Sequence, residues 1–391
     1  MNSTWPQWPH HLAWLIVALC TLCMAAAGAA SQEPQRKKLI EYGWDVPYPD
    51  FVRQNIRAME QRPFDGIMFR LKDWNHAFDT RPWKPADLAP QMADLRAISW
   101  QRFTDNFLVL YAANNWKMDW FDDAQWSTIA ANLRLYARAA KAGRCVGIVF
   151  DPEPYGDNPW AYKAVAAGRS YEQVAAQVRK RGAQFMRALR QEMPDIRLLT
   201  FFHLSLFADI ARLPDPAKRS EALANNEWGL QAAFYEGWLD ASTDRTVMID
   251  GNEIAYYQTR SEGFFRLYYN IRNAALALVT APNRNRYRTR VQAGNAVYID
   301  QLVALRQPES STPSYRLAPA DRLKWLEHNV YYALLTSEEY VWVYSERMDW
   351  WRNNVPSGVE EAIRAAAQRY RQGQPAGVEM DEIWKRAEPA R

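Results

Sequence analysis

Gly143-Arg144-Cys145-Val146-Gly147-Ile148-Val149-Phe150-Asp151-Pro152-Glu153-Pro154-Tyr155-Gly156 is the stretch on which the fold turns. An apolar run of β-formers stops abruptly at two carboxylates spaced i, i+2. Alternate residues of a strand share a side, so Asp151 and Glu153 are expected to project together. Pro152 and Pro154 end the ladder there, because neither has a backbone N–H to donate. Burying two like charges side by side is unfavourable unless a site uses them, which suits acid/base chemistry.

The flanks of this strand are helical. Residues 124–142 read as an amphipathic, Ala-rich helix, and 170–192 as a long helix with one apolar face. The same alternation runs on in both directions. Strands are predicted at 38–44, 66–71, 106–112, 146–150, 197–204, 246–249, 295–299 and 340–344. Helices are predicted between them at 49–61, 222–239, 261–279 and 323–335, with a closing helix at 359–371. The basic stretch 283–290 before the seventh strand reads as a loop insertion, and 307–314 as a loop within the domain. Strand–helix alternation argues for a parallel sheet covered by helices, and eight is the number that closes a (β/α)8 TIM barrel. An open doubly wound sheet is the rival. No G-x-G-x-x-G follows the first strand and no P-loop occurs, so the nucleotide-binding sheets lose their main support.

The predicted organisation is a signal peptide over 1–30, a single α/β domain forming a (β/α)8 barrel over 31–375, and a poorly ordered tail over 376–391. Residues 1–30 contain no Lys, Arg, Asp or Glu, and Leu12 to Met24 is a short apolar run before small residues. That pattern fits cleavage near Ala29 or Ala30 and a secreted or periplasmic protein. The run is short for a bilayer span of roughly 20 residues, so an uncleaved anchor is the weaker alternative. About 360 residues would remain, within the range such barrels occupy as one domain. Of three cysteines only Cys145 would survive processing, inside a strand, where it is expected to pack.

The net charge of +4 is spread over mixed acids and bases, with no stripe marking a nucleic-acid partner. The unusual component is aromatic, with 18 Trp and 20 Tyr. Many lie beside strand ends, where flat rings can stack on sugar faces, and others fill the core.

In barrels of this kind chemistry gathers at the C-terminal ends of the strands. There the sequence offers Trp44 and Asp45, then Arg70, Lys72, Asp73 and Trp74, then Asn114, Asn115 and Trp116. Further on come Asp151, Glu153 and Tyr155, His203, Asp250, Asn252, Glu253, Tyr256 and Tyr257, Asp300, and Trp342, Tyr344 and Glu346. Asp45, Asn252 and Asp300 serve equally well as turn or helix-cap residues, and His203 as a satisfied polar group.

The eightfold alternation and the Asp-Pro-Glu-Pro strand end resemble the TIM-barrel glycoside hydrolases. Chitinase-like barrels carry a fourth strand of the form D-G-φ-D-φ-D-x-E, with φ apolar. Gly147, Ile148, Phe150, Asp151 and Glu153 fit that pattern, while Val146 and Val149 replace its first two acids. The resemblance implies Glu153 as proton donor with Asp151 beside it; the replaced acids argue against N-acetyl-assisted catalysis. A second group, the retaining enzymes with Asn-Glu-Pro on the fourth strand, is matched by Glu153-Pro154, but Pro152 stands for Asn and the seventh strand offers only Asp300.

Glycoside cleavage needs a protonated carboxyl at the leaving oxygen and a second carboxylate across the sugar. Glu153 is the expected acid, kept protonated by an ionised Asp151. The second carboxylate is expected from Asp250, Glu253 or Glu346, in that order. The expected sugar contacts are Trp44, Asp45, Trp74, Trp116, Tyr155, His203, Tyr256 and Trp342. The predicted function is a glycoside hydrolase acting on a poly- or oligosaccharide without a cofactor, its partner being the glycan substrate. The alternatives are a non-catalytic carbohydrate-binding barrel and a metal-dependent hydrolase. A zinc site is disfavoured, since only His76, His203 and His328 lie beyond residue 30 and no H-x-H or H-E-x-x-H occurs; a Ca²⁺ or Mg²⁺ site from Asp151, Asp250 and Glu253 stays open. No G-x-S-x-G elbow is present for a Ser-His-Asp enzyme.

Overall fold

The computed structural model describes residues 37–112, 115–306 and 312–387, so the predicted signal peptide lies outside the described residues. The strands are β1 (Lys38–Gly43), β2 (Gly66–Phe69), β3 (Phe107–Tyr111), β4 (Gly147–Asp151), β5 (Arg197–Thr200), β6 (Val247–Asp250), β7 (Val291–Ala293), β8 (Asn295–Tyr298) and β9 (Tyr340–Ser345). They form one sheet in the order β7-β6-β5-β4-β3-β2-β1-β9-β8. Every pairing is parallel, as in Phe107 opposite Gly147 and Ile40 opposite Trp342.

The two ends of this order meet in the chain. Only Gly294 separates β7 from β8, so they are halves of one strand. The first half bonds to β6 and the second to β9, which closes a barrel of eight strand positions. Gly294 is where the strand changes neighbours, and its N–H donates to the Asp250 carbonyl at 2.8 Å. A Cβ there would stand 2.9 Å from Ile249 Cγ2, 3.1 Å from the Asp250 carbonyl and 3.2 Å from that of Tyr340. Both neighbouring strands press on this point, so a residue without a side chain fits it. The fold is the (β/α)8 barrel, its seventh strand beginning at Val291, four residues before the predicted start.

Strand alternation sorts the core into two layers. Ile40, Met68, Phe107, Val109, Val149, Leu199, Ile249, Ala296, Tyr340 and Trp342 fill the barrel. Their neighbours Leu39, Ile67, Leu108, Leu110, Ile148, Phe150, Leu198, Met248, Val341 and Val343 face the helices. The helices include Pro49–Met59, Pro85–Ala97, Asp123–Ala142, Tyr171–Glu192, Leu230–Ala241, Ser261–Arg272, Pro319–Thr336 and Val359–Arg371. Those flanking β4 have clear start signals. The Asp122 carboxylate accepts from the N–H groups of Ala124 and Gln125, and Ser170 with Gln173 forms a capping box.

Three segments differ from expectation. The fifth strand ends at Thr200 rather than 204, and Leu204–Phe207 is a 3-10 turn. The basic stretch before the seventh strand is a helix, Arg284–Arg290, leading straight into β7. The predicted poorly ordered tail instead carries a helix, Met380–Ala387. Met380 and Ile383 bury its apolar face, and the Trp384 indole donates to the Thr259 carbonyl at 3.1 Å. Its short amphipathic period, with apolar residues at 380, 383 and 384, escapes notice among charged neighbours. No helix among the described residues is long and apolar enough to cross a membrane. Cys145 is buried, and burial pushes its thiol pKa up.

Candidate active site

A cleft of about 870 Å³ opens at the C-terminal ends of the strands. A second lobe of about 340 Å³ adjoins it. The two lobes share Trp44, Glu153, Tyr155, Glu253, Tyr256 and Tyr344. Two carboxyl groups therefore stand at the junction, framed by four aromatic rings.

The first comes from the Asp-Pro-Glu-Pro turn. Asp151 is the last residue of β4 and keeps the inward parity of Val149. Its Oδ1 accepts from the Glu153 N–H at 2.9 Å, which fixes the turn and aims Glu153 into the cleft. Pro152 and Pro154 leave no donor unsatisfied here, and the Pro152 carbonyl accepts from the Trp160 indole at 2.7 Å. The Tyr155 hydroxyl donates to Glu153 Oε2.

The second carboxyl, Glu253, follows β6. The Asn252 N–H donates to Asp250 Oδ1 at 3.2 Å, and Asn252 turns the chain at φ 49°. The Glu253 N–H then donates to the Phe201 carbonyl at 3.1 Å. The floor between the carboxyls is aromatic. Trp342, 1% exposed, stacks on Phe201 with ring centroids 4.4 Å apart, and its indole donates to the Gly251 carbonyl at 2.8 Å. Tyr256 stacks on Tyr344 at 5.6 Å. Trp44 and Tyr155 form open walls, 67% and 54% exposed.

Burial raises the pKa of each of the three central acids. Glu253 is pushed up to about 9, first by burial and then by the charges of Glu153, Asp151 and Glu346. Asp151 is raised by burial and then by the charge of Glu153, whereas burial alone raises Glu153. Sequence alone puts the charge on Asp151 and the proton on Glu153. Asp151 is the more deeply enclosed of the two.

Of the other expected site residues, Trp74, Trp116, Tyr256 and Trp342 line the main lobe, and Glu346 the smaller one. Trp74 is held at φ 61°, a left-handed conformation unfavourable for a bulky residue. Asp250, Asp45 and His203 line neither lobe. Asp250 has the outward parity of Met248 and lies behind the barrel wall. Its carboxylate accepts from the Ser205 hydroxyl at 2.8 Å and the Ser205 N–H at 3.2 Å, and burial raises its pKa to about 6. Asp250 is thus a support for the turn that carries Glu253. Asp45 accepts from the Trp350 N–H at 2.8 Å, and burial raises its pKa to about 6. His203 stacks on Tyr235 with 4.3 Å between centroids; burial pulls its pKa down to about 3 and neither ring nitrogen has a partner. With Asp250 outside, the oxygen-ligand set Asp151, Asp250 and Glu253 does not converge. Among the described residues no group of three or more His, Cys, Asp or Glu is arranged to hold a metal ion.

The cleft also uses residues not foreseen as contacts. Tyr42, Tyr48, Arg70, Lys72, Asn75, His76, Asp79, Arg81 and Tyr111 line the main lobe. Arg306 and Arg347 line the smaller one, Arg347 lying 6.0 Å from the Trp44 ring centroid. Arg70 lies at the end of a predicted strand and Lys72 directly follows it, which was the available signal; Tyr42 and Tyr111 carried the inward alternation of their strands.

No family model matches this chain, and no curated protein sequence matches it. Its chain path is similar to that of several solved structures. One is a broad-specificity endoglucanase from Clostridum cellulovorans, at 9% identity and TM-score 0.44, covering 82% of this chain and 87% of that one. Another is an endocellulase from Pyrococcus horikoshii, at 9% identity and TM-score 0.45, covering 85% and 92%. A third is the catalytic domain of the major endoglucanase from Xanthomonas campestris pv. campestris, at 13% identity and TM-score 0.38, covering 87% and 95%. These identities are too low to carry residue roles across.

Proposed function

We propose that the protein is a glycoside hydrolase in which Glu253 protonates the leaving oxygen and Glu153 acts as the carboxylate across the sugar. One observation carries the reading: Glu153 and Glu253 are the two carboxyls common to both lobes of one aromatic-lined cleft. A glycan lying through both lobes would pass between them. The division of roles follows from electrostatics. Glu253 is held neutral by burial and surrounding acids, as a proton donor must be. Glu153 is less enclosed than Asp151 and accepts a hydrogen bond from the Tyr155 hydroxyl, which works against the upward push of burial on its pKa. This reverses the assignment of the proton to Glu153 made from sequence. Asp151 is the positioning residue of the pair, and Glu346 adds negative charge from the smaller lobe.

Trp44 and Tyr155 offer faces for sugar stacking, and Trp342 and Tyr256 form the floor. The charge-free segment 1–30 supports export, and N-terminal sequencing of the protein recovered from cells tests it; a mature start near Ser31 is expected.

The roles separate by leaving group. On unactivated glycosides, Glu253→Gln should lower kcat by about 10²–10⁴-fold. On a dinitrophenyl glycoside, whose leaving group needs no proton, it should keep most of its rate. Glu153→Gln should fail on both. Retention of activity by Glu153→Gln on every substrate would remove it from the mechanism. Wild-type protein that binds glycans and cleaves none would be a binding barrel instead.

A further inference from the structure

The main lobe is asymmetric in charge. Away from the Glu153/Glu253 junction its wall carries Arg70, Lys72, His76 and Arg81. Two of these cations are already answered. Lys72 Nζ pairs with Asp50 at 2.7 Å, and Arg81 forms a two-pronged pair with Asp79, both contacts 3.0 Å. Asp73 is exposed on the rim.

Arg70 differs. It leaves the end of β2 and lines the cleft, half-buried. Its Nη2 donates to the Tyr48 hydroxyl at 3.2 Å, and its guanidinium carbon lies 5.3 Å from the Tyr48 ring centroid. Lys72 Nζ lies 5.9 Å from the same ring, so Tyr48 holds both cations to one patch. Among the described residues no carboxylate ion-pairs with Arg70; its polar neighbours include Tyr48, Tyr111 and His76. Arg70 Nε is buried without a hydrogen-bond partner, and so is Nδ1 of His76 in the same lobe. A guanidinium is always charged, and leaving its donors buried and unpaired is unfavourable. Its planar fork matches a two-oxygen anion.

We propose that the main lobe binds a sugar bearing an anionic oxygen group, a carboxylate or a sulfate ester, with Arg70 as its principal contact and Lys72 at its edge. This names the substrate class of the hydrolase proposed above, and it rests on that reading for the sugar itself. The anion supplies the Arg70 guanidinium with a counter-charge from the cleft, while the stacking walls at the junction take the neighbouring ring. Glu153 and Glu253 also line the smaller lobe, whereas Arg70 lines only the main one.

The test uses the full chain carrying Glu253→Gln, which slows turnover during titration. Calorimetry compares β-1,4-linked tetraglucose with a tetrauronate and with a sulfated tetrasaccharide. At least one anionic ligand should bind about tenfold or more tightly than the neutral one, with affinity falling as salt rises. Adding Arg70→Gln should bring the two within roughly threefold. Thermal melting checks that this variant folds; if it does not, Lys72→Met, at an exposed position, should still weaken the anionic ligand alone. Which anionic ligand is selected separates carboxylate from sulfate. Neutral sugar bound as well or better, no binding by any of the three, or a ratio unmoved by Arg70→Gln would overturn the proposal. Cleavage of neutral glycans without charge preference would overturn it while leaving the hydrolase reading intact; charge-selective binding without cleavage would do the reverse.

Discussion

Replacing Glu253 with Gln should make the protein more stable at neutral pH while disabling it. The carboxyl has an ordinary pKa of 4.5 and is pushed up to about 9 in the fold. Between those values the unfolded chain has released this proton and the folded chain retains it. Folding must then take up a proton, so stability falls as pH rises from 4.5 and stops falling above about 9. Each pH unit in that window contributes about 1.4 kcal/mol. By pH 7 the accumulated penalty is about 3 kcal/mol, a large share of a typical domain's stability. The amide of Gln carries no such linkage and keeps the shape. Urea denaturation of both proteins at pH 5, 7 and 8 reads the difference. The variant should gain little at pH 5, about 3 kcal/mol at pH 7 and more at pH 8. A constant difference across pH, or a variant less stable at pH 7, would show that this carboxyl is not held neutral by the fold. The proton-donor role would fall with it.

Other perturbations separate support from chemistry. The pH–rate profile should be bell-shaped, rising as Glu153 ionises above its ordinary 4.5 and falling as Glu253 loses its proton near 9; a profile flat to pH 10 would count against the pairing. Asp250→Ala strips the acceptor from Ser205 and Asn252 and should destabilise by about 2–4 kcal/mol by urea denaturation. Asp250→Asn should recover part of that loss, since one amide oxygen remains. Gly294→Ala forces a methyl between β6 and β9 and should lower stability by about 1–3 kcal/mol, read as a lower melting temperature. Trp44→Ala, at an exposed wall, should leave the melting temperature unchanged and raise KM by roughly fivefold, about 1 kcal/mol of lost stacking.

The strands were legible because each is a short apolar run with a sharp polar or proline stop, and a parallel sheet buried on both faces demands such runs. Asp151, Glu153 and the aromatic walls were legible for the same reason: they lie at those stops, where alternation fixes which way they point. Asp250 also lies at a stop and was ranked above Glu253. The alternation that puts Ile249 inside the barrel already turns Asp250 outward. That parity needs an inward residue as reference, and an all-apolar strand hides which of its faces is which. Asp45 lies in the turn after β1, where strand alternation no longer sets direction.

The sequence by itself determined the eight strand positions, their order and the acids each could offer, because those depend on neighbours along the chain. Only the tertiary structure decided that Glu253 stands with Glu153 at the junction of two lobes, and that Arg70 is left without an acid. It also set which acids are hardest to ionise. A carboxyl's pKa depends on how much water is excluded and which charges surround it, and for Glu253 those charges come from residues at the ends of other strands.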